Sequence, residues 1–329
     1  MVGMSDLLRV ENLTTWLATE SGIITAVDDV SFSVRPGRAL ALVGESGSGK
    51  SMTCSSIMRL LPASGHIAGG RVLFEGEDLL AKSPAEMEAI RGRKIGMIVQ
   101  DPMTSLNPLF DVEDQVGEVF RYHLGDRSRR ARRPKVLDVL SRVQIPAAEK
   151  RLGSYPHEFS GGMRQRVAIA LNIACAPKLL IADEPTTALD VTVQQQILAL
   201  LRDLQRETGM AIILVTHDLH TVQRFCDEVA IMYAGRIVEQ GPVAEIFARP
   251  AHPYTEGLLR ALPQLGGQED RLPLIPGQPP SLASLPAGCR FAPRCRRATD
   301  LCRTEYPDWM ATAGETRRSA CWYADEVLG

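Results

Sequence analysis

The feature that most constrains this chain is a loop built to wrap an anion. Gly44-Glu45-Ser46-Gly47-Ser48-Gly49-Lys50-Ser51 fits the pattern G-x-x-x-x-G-K-[ST]. In that pattern backbone N–H groups cradle phosphate oxygens and the lysine reaches the terminal phosphates. The unbroken apolar run Ala39-Leu40-Ala41-Leu42-Val43 precedes it, which reads as a strand buried on both faces. Ser51 to Leu61 follows as a helix whose N-terminus faces the phosphates and which ends before Pro62.

Three further motifs stand behind it in order: Phe159-Ser160-Gly161-Gly162-Met163, Leu179-Leu180-Ile181-Ala182-Asp183-Glu184, and Thr216-His217-Asp218. Lys50 is expected to neutralise the β- and γ-phosphates of a nucleotide and the Ser51 hydroxyl to ligate Mg²⁺. Asp183 ends an apolar strand, where a carboxylate can hold the metal through water, and Glu184 is placed to polarise an attacking water. In the second motif Ser160 reads as an N-cap, and the two glycines let backbone amides approach a γ-phosphate at a helix N-terminus. The set implies nucleotide hydrolysis.

Strands are expected at Leu8 to Val10 with Leu13, at Ile23 to Val27, and at Val30 to Val34, whose alternation suggests a half-buried antiparallel strand. Between Gln100 and Pro177 the pattern turns helical, with one stripe at Val112, Val116, Val119 and Phe120 and another at Val136, Val139, Leu140 and Val143. Strand Lys178 to Ala182, helix Val193 to Thr208 closed by Gly209, and strand Ala211 to Val215 then restore a β-α alternation, which implies a parallel sheet. Ala230 to Tyr233 and Arg236 to Glu239 read as a hairpin turning at Ala234-Gly235. From Leu262 to Gly288 six prolines, at 263, 273, 276, 279, 280 and 286, indicate an extended connector.

Phe159-Ser160-Gly161-Gly162-Met163-Arg164-Gln165-Arg166 resembles the signature motif of ATP-binding cassette (ABC) ATPases, LSGGQ-x-QR, with Met163 in place of the usual glutamine. Other positions match that family in order. Gln100 resembles the Q-loop glutamine that senses metal and membrane partner, Ala188-Leu189-Asp190 the D-loop, and His217 the switch histidine that contacts the γ-phosphate. Trp16 is the chosen candidate to stack on adenine. The resemblance implies an α/β fold: a P-loop nucleotide-binding domain with an antiparallel β subdomain and an inserted helical subdomain. The expected bounds are 1–250 for the ATPase domain, with its helical subdomain at about 101–177, and 251–329 for a small Cys-rich C-terminal extension.

Gln100 to Pro108, Arg249-Pro250-Ala251-His252-Pro253-Tyr254-Thr255 and a four-cysteine tail are similar to the ATPase subunits of bacterial dipeptide and oligopeptide importers. Related importers for nickel chelates, opines or sugars share this subgroup. The resemblance implies ATP and Mg²⁺ as ligands, a second ABC ATPase subunit (a paralogue) as partner, two membrane permease subunits, and a periplasmic or extracellular substrate-binding protein. It also implies a peripheral place on the cytoplasmic face of the inner membrane. His252-Pro253-Tyr254 has no chemistry of its own and reads as a docking turn.

Composition narrows the alternatives. With 37 Lys and Arg against 39 Asp and Glu, the net charge of −2 gives no electrostatic reason to expect nucleic acid. No apolar run approaches the roughly 18 residues of a membrane span. Lys50 and Ser160 are only 110 apart, whereas soluble repair ATPases of this class insert a long coiled coil there. Of seven cysteines, Cys54, Cys175 and Cys226 read as small buried hydrophobes. Cys289, Cys295, Cys302 and Cys321 crowd the C-terminus, where a reducing cytosol favours metal binding over disulfides. Their spacing alone selects neither zinc nor iron and sulfur. The subgroup resemblance implies a [4Fe–4S] cluster, with zinc or unligated thiols as the alternatives. Seven arginines between Cys289 and Cys321 read as a solvated basic face or as an offset to a cluster's charge.

Overall fold

The computed structural model describes residues 6–20, 22–100, 105–187, 189–262, 275–311 and 317–328. The chain begins with β1 (Leu8–Thr19), β2 (Gly22–Val34), β3 (Ala39–Val43), α1 (Lys50–Met58), β4 (Gly65–Phe74) and β5 (Glu77–Asp78). Next come α2 (Pro84–Ile90), β6 (Ile95–Ile98), α3 (Val112–Leu124), α4 (Arg129–Arg142), α5 (Ala148–Arg151), α6 (Gly161–Ile173), β7 (Leu179–Asp183), α7 (Val191–Thr208) and β8 (Ala211–Thr216). The remainder holds α8 (Leu219–Phe225), β9 (Glu228–Tyr233), β10 (Arg236–Pro242), α9 (Val243–Ala248), α10 (Pro253–Arg260), α11 (Asp300–Thr304), β11 (Met310–Ala311), β12 (Arg318–Ser319) and α12 (Ala324–Leu328). Two compact units result.

The unit that carries the glycine loop draws on residues 8–34, 39–80 and 216–329. Its antiparallel sheet runs β2-β1-β4-β5. Ile23 to Val27 and Val30 to Val34, expected as separate strands, form the single β2, because Asp29 takes a left-handed φ of 55° that absorbs the irregularity without ending the pairing. The mostly exposed β4 has too little apolar alternation to be read from sequence. In a second sheet β3 lies parallel to β9, β9 and β10 form the expected hairpin, and β12 and β11 continue it antiparallel. β3 is buried along its whole length, as its unbroken apolar run requires. α1 stops at Met58, three residues short of the expected end, because Arg59 turns left-handed at φ 52°.

The other unit draws on residues 1–7, 35–38 and 81–215. β6, β7 and β8 form parallel pairs, with β7 wholly buried. The helical stripes meet where α3 packs on α4: Val112, Val116 and Phe120 are buried, as are Val136, Val139 and Leu140. α7 is capped by the Asp190 carboxylate and ends on Gly209 at φ 67°, the left-handed stop expected there. Asp101–Thr104, Ala188, Pro263 and Pro273 lie outside the described residues.

Candidate functional site

The glycine loop closes on its own lysine. Lys50, only 6% exposed, donates from Nζ to the carbonyls of Gly44 at 2.8 Å and Glu45 at 2.9 Å, and to Ser48 Oγ at 3.4 Å. Gly49 sits at φ 104°, and a Cβ there would stand 2.6 Å from the Ala26 carbonyl oxygen, so no other residue fits. Gly44 is equally tight, with the Met232 carbonyl oxygen 2.2 Å from a built Cβ. Ser48 O accepts from Gly235 N at 2.9 Å, tying the loop to the hairpin turn. Ser46, Gly47 and Ser51 are exposed.

A cavity of about 510 Å³ opens on this loop, lined by Glu45 to Ser48, Thr19, Ile24, Tyr233, Ala234 and the connector residues Pro279 to Ala283. Trp16 is not among its walls. Its ring is 41% exposed and stands against His66, 6.5 Å between centroids. Strand alternation turns it away from the side on which buried Thr15 shares a 2.7 Å hydrogen bond with Ser56 of α1. His217, also in this unit, is exposed just beyond β8, before the Asp218 N-cap of α8.

The C-terminal segment also reaches the loop. Arg294 forks onto the Glu45 carboxylate at 2.8 and 3.1 Å, and Tyr254 Oη accepts from Glu45 N–H at 3.0 Å. Burial works against the Arg294 charge, yet its bonds to Glu45 and Tyr233 raise its pKa above the ordinary value. Arg290 donates to Asp28 and to the Ala234 carbonyl, and Arg317 Nη2 donates to wholly buried Glu239 at 3.1 Å. Three of the seven arginines expected on a solvated face are therefore buried and paired: Arg290, Arg294 and Arg317, at 8%, 9% and 3% exposure. The His252-Pro253-Tyr254 turn is held by Glu239, which accepts from Ala251 N at 2.8 Å and His252 N at 3.0 Å. His252 Nδ1 in turn accepts from Tyr254 N at 3.1 Å, and full burial drives its pKa down to about 3, so the ring stays neutral. Sequence patterning gives Arg294 no role of its own and names Tyr254 only as part of the His-Pro-Tyr turn.

In the other unit the carboxylates end β7. Asp183 is 4% exposed. Glu184 adopts φ 47°, its N–H bonds the Val215 carbonyl at 3.0 Å, and its Oε2 accepts from Gln100 Nε2 at 3.1 Å and Thr187 Oγ1 at 2.8 Å. The structure thus joins two residues singled out 84 positions apart. Ser160 caps α6 by accepting from Met163 N at 3.4 Å. Gly161 is exposed at the helix start, and a Cβ on Gly162 would meet Val193 Cγ1 of α7 at 2.6 Å. Asp190 accepts from Val193 N at 3.0 Å, so Gly162 and Asp190 meet at one residue.

Cys289, Cys295, Cys302 and Cys321 line one small apolar pocket with His252, Phe291 and Tyr323. Backbone N–H groups point at their sulfurs: Phe291 and Ala292 at Cys289, Arg297 at Cys295 (3.4 Å) and Tyr323 at Cys321. Burial pushes the Cys289 thiol up to about 11 and the Cys321 thiol up to about 12. The donor chemistry suits a thiolate-bound group, although among the described residues no three ligands stand in metal-coordinating geometry. Cys54 and Cys226 are buried and Cys175 is partly so.

Comparison with known proteins agrees with this arrangement. Residues 27–187 match the family described as ABC transporter, and residues 238–302 the family described as oligopeptide/dipeptide transporter, C-terminal region. The oligopeptide transport ATP-binding protein OppD of Haemophilus influenzae is 50% identical over 98% of this chain and 99% of its own. The dimeric post-hydrolysis state of the ATP-binding cassette MJ0796 bound to ADP and Pi superposes with a TM-score of 0.64 at 28% identity, covering 72% of this chain and 98% of that one. CbiO1 of Clostridium perfringens, part of the ABC transporter complex cbiONQ, gives 0.62 at 30% identity, over 74% of this chain and 91% of its own. The fold and site therefore define a P-loop ATPase of the ABC class. Within that class the chain belongs to the family of ATP-binding subunits of oligopeptide and dipeptide importers.

Proposed function

We propose that this chain is the ATP-hydrolysing subunit that energises an importer of di- and oligopeptides. The observation that carries the reading is 50% identity to an oligopeptide transport ATP-binding protein across 98% of the chain. Lys50 and the loop amides hold the β- and γ-phosphates, and Ser51, Gln100 and Asp183 hold Mg²⁺. Glu184 polarises the attacking water, Gln100 steadies it, and His217 contacts the γ-phosphate. The capped helix start at Ser160, Gly161 and Gly162, with Asp190, serves the nucleotide of a second ATPase subunit, a paralogue. The dimeric form of the MJ0796 cassette supports this two-subunit reading.

Two membrane permease subunits and a periplasmic or extracellular binding protein complete the transporter. Among the described residues no helix is long and apolar enough to cross a membrane, so attachment to the cytoplasmic face of the inner membrane would run through the permeases. Peptide uptake by a strain lacking this gene tests the assignment. Wild type should restore uptake and Glu184→Gln should not, whereas uptake restored by Glu184→Gln, or nickel or sugar uptake restored in place of peptide uptake, would overturn it.

Cys289, Cys295, Cys302 and Cys321 would hold a [4Fe–4S] cluster, with zinc as the alternative. The shared pocket and the N–H groups aimed at the sulfurs support ligation, since such donors stabilise thiolate charge. The group would supply a covalent staple to a segment with little core of its own. Thr299 Oγ1, 3.5 Å from Cys302 Sγ, would help orient that ligand.

A further inference from the structure

The Glu45 side chain has no task in this hydrolysis scheme, yet the residue is held at both its carboxylate and its backbone N–H. Both its carboxylate oxygens receive Arg294, at 2.8 and 3.1 Å, and its N–H is bound by the wholly buried Tyr254 hydroxyl at 3.0 Å. Arg294 is fixed in turn: Nε donates to the Pro276 carbonyl at 2.9 Å, Nη1 donates to Tyr233 Oη at 3.3 Å, and the guanidinium lies 5.9 Å from the Phe291 ring centre. Tyr233, Tyr254 and Phe291 pack with centroids 4.6 to 5.4 Å apart, filling the space behind this grip. Glu45 is one of the residues lining the cavity on the loop, so its charge lies near the place a bound triphosphate would take.

We propose that Arg294 and Tyr254 are positioning residues for ATP binding, and that through them the C-terminal segment is part of the nucleotide site. Arg294 neutralises Glu45 and holds its carboxylate, while Tyr254 pins the loop backbone at the same residue. The connector residues Pro279 to Ala283, on the same cavity, bring the segment to the edge of the ligand. The proposal rests on the reading of Gly44 to Ser51 as the phosphate site. A role confined to anchoring the segment would leave ATP affinity indifferent to the Glu45 charge, which the test below reads.

The test uses the full-length chain, Mg²⁺ and a fluorescent ATP analogue in equilibrium titrations at low and high salt. Arg294→Gln leaves Glu45 uncompensated beside the phosphates and should weaken binding by about tenfold at low salt. The loss should shrink to about threefold at 0.5 M salt, because screening acts on charge repulsion and not on packing. Glu45→Gln in the Arg294→Gln background should restore affinity to within about twofold of wild type, since the repelling charge is then gone. Tyr254→Phe keeps the ring and loses the acceptor, for an expected loss of about threefold. Unchanged affinity in Arg294→Gln, or a loss that neither salt nor Glu45→Gln reduces, would overturn the proposal. If Arg294→Gln does not fold, Glu45→Gln alone decides: binding as tight as wild type or tighter supports the proposal, and weaker binding overturns it. Wild type that binds no analogue, or Lys50→Ala that binds it equally well, would instead sink the ATP reading itself.

Discussion

If Lys50 holds phosphate and Glu184 polarises water, as proposed, their substitution should separate binding from chemistry, and their surroundings say how each should fail. The Lys50 ammonium is already drawn into the loop by two carbonyls and a hydroxyl, so its charge is delivered where phosphates would lie. Lys50→Ala should weaken ATP binding by about a hundredfold or more, measured by nucleotide titration. Glu184 is held by Gln100 and Thr187 at a left-handed φ of 47°, a conformation that ordinary side chains adopt at a cost. Glu184→Gln keeps that shape and loses the base: affinity should stay within about threefold while kcat falls about 10²- to 10³-fold. Near-normal turnover in Glu184→Gln would remove it from the catalytic role. Both residues were legible because strand, loop and acid are contiguous in the chain. The Gln100 to Glu184 bond spans 84 positions and has no local pattern, so only the family resemblance brought Gln100 forward.

Among the elements, the start of α6 is the most demanding. A Cβ on Gly162 would lie 2.6 Å from a Val193 methyl, and a β-branched side chain has no rotamer freedom with which to yield. Gly162→Ala should therefore destabilise the fold by about 1–3 kcal/mol in chemical denaturation, and Val193→Ala should recover most of that loss. Additive losses in the double variant would show that the glycine is required for something other than this contact. The elements read correctly from sequence are those with a clear period or a local stop: β3, β7 and β8 from apolar runs, α7 from its stripe and Gly209. β4 was invisible because seven of its first eight residues are not buried, so no core face was written into the chain. Arg290, Arg294 and Arg317 depart from the expected solvated face for a related reason. Composition suggests solvent, whereas their partners Asp28, Glu45 and Glu239 lie up to 262 positions away.

At the scale of the molecule, the C-terminal segment is structurally continuous with the unit that carries the glycine loop, adding β12 to the edge of β10. Sequence reading set residues 251–329 apart because the prolines mark a connector; hydrogen bonds such as Arg294 to Glu45 carry no periodicity that could have joined them. One small cluster of the segment joins Ala251, Cys321 and Ala324, with Tyr323 against them. Four cysteines line one pocket there, and a group bound by them, as proposed, would staple the segment. Buried thiols with raised pKa hold their protons until a metal displaces them, so loading should release protons and become tighter as pH rises. Anaerobically purified protein should be brown, with iron and acid-labile sulfide each at about four per chain. Cys302→Ser should bleach that colour and lower the unfolding midpoint. Stoichiometric zinc without sulfide would replace the cluster with a zinc site, and metal-free protein with the same unfolding midpoint as Cys302→Ser would show that the four thiols staple nothing.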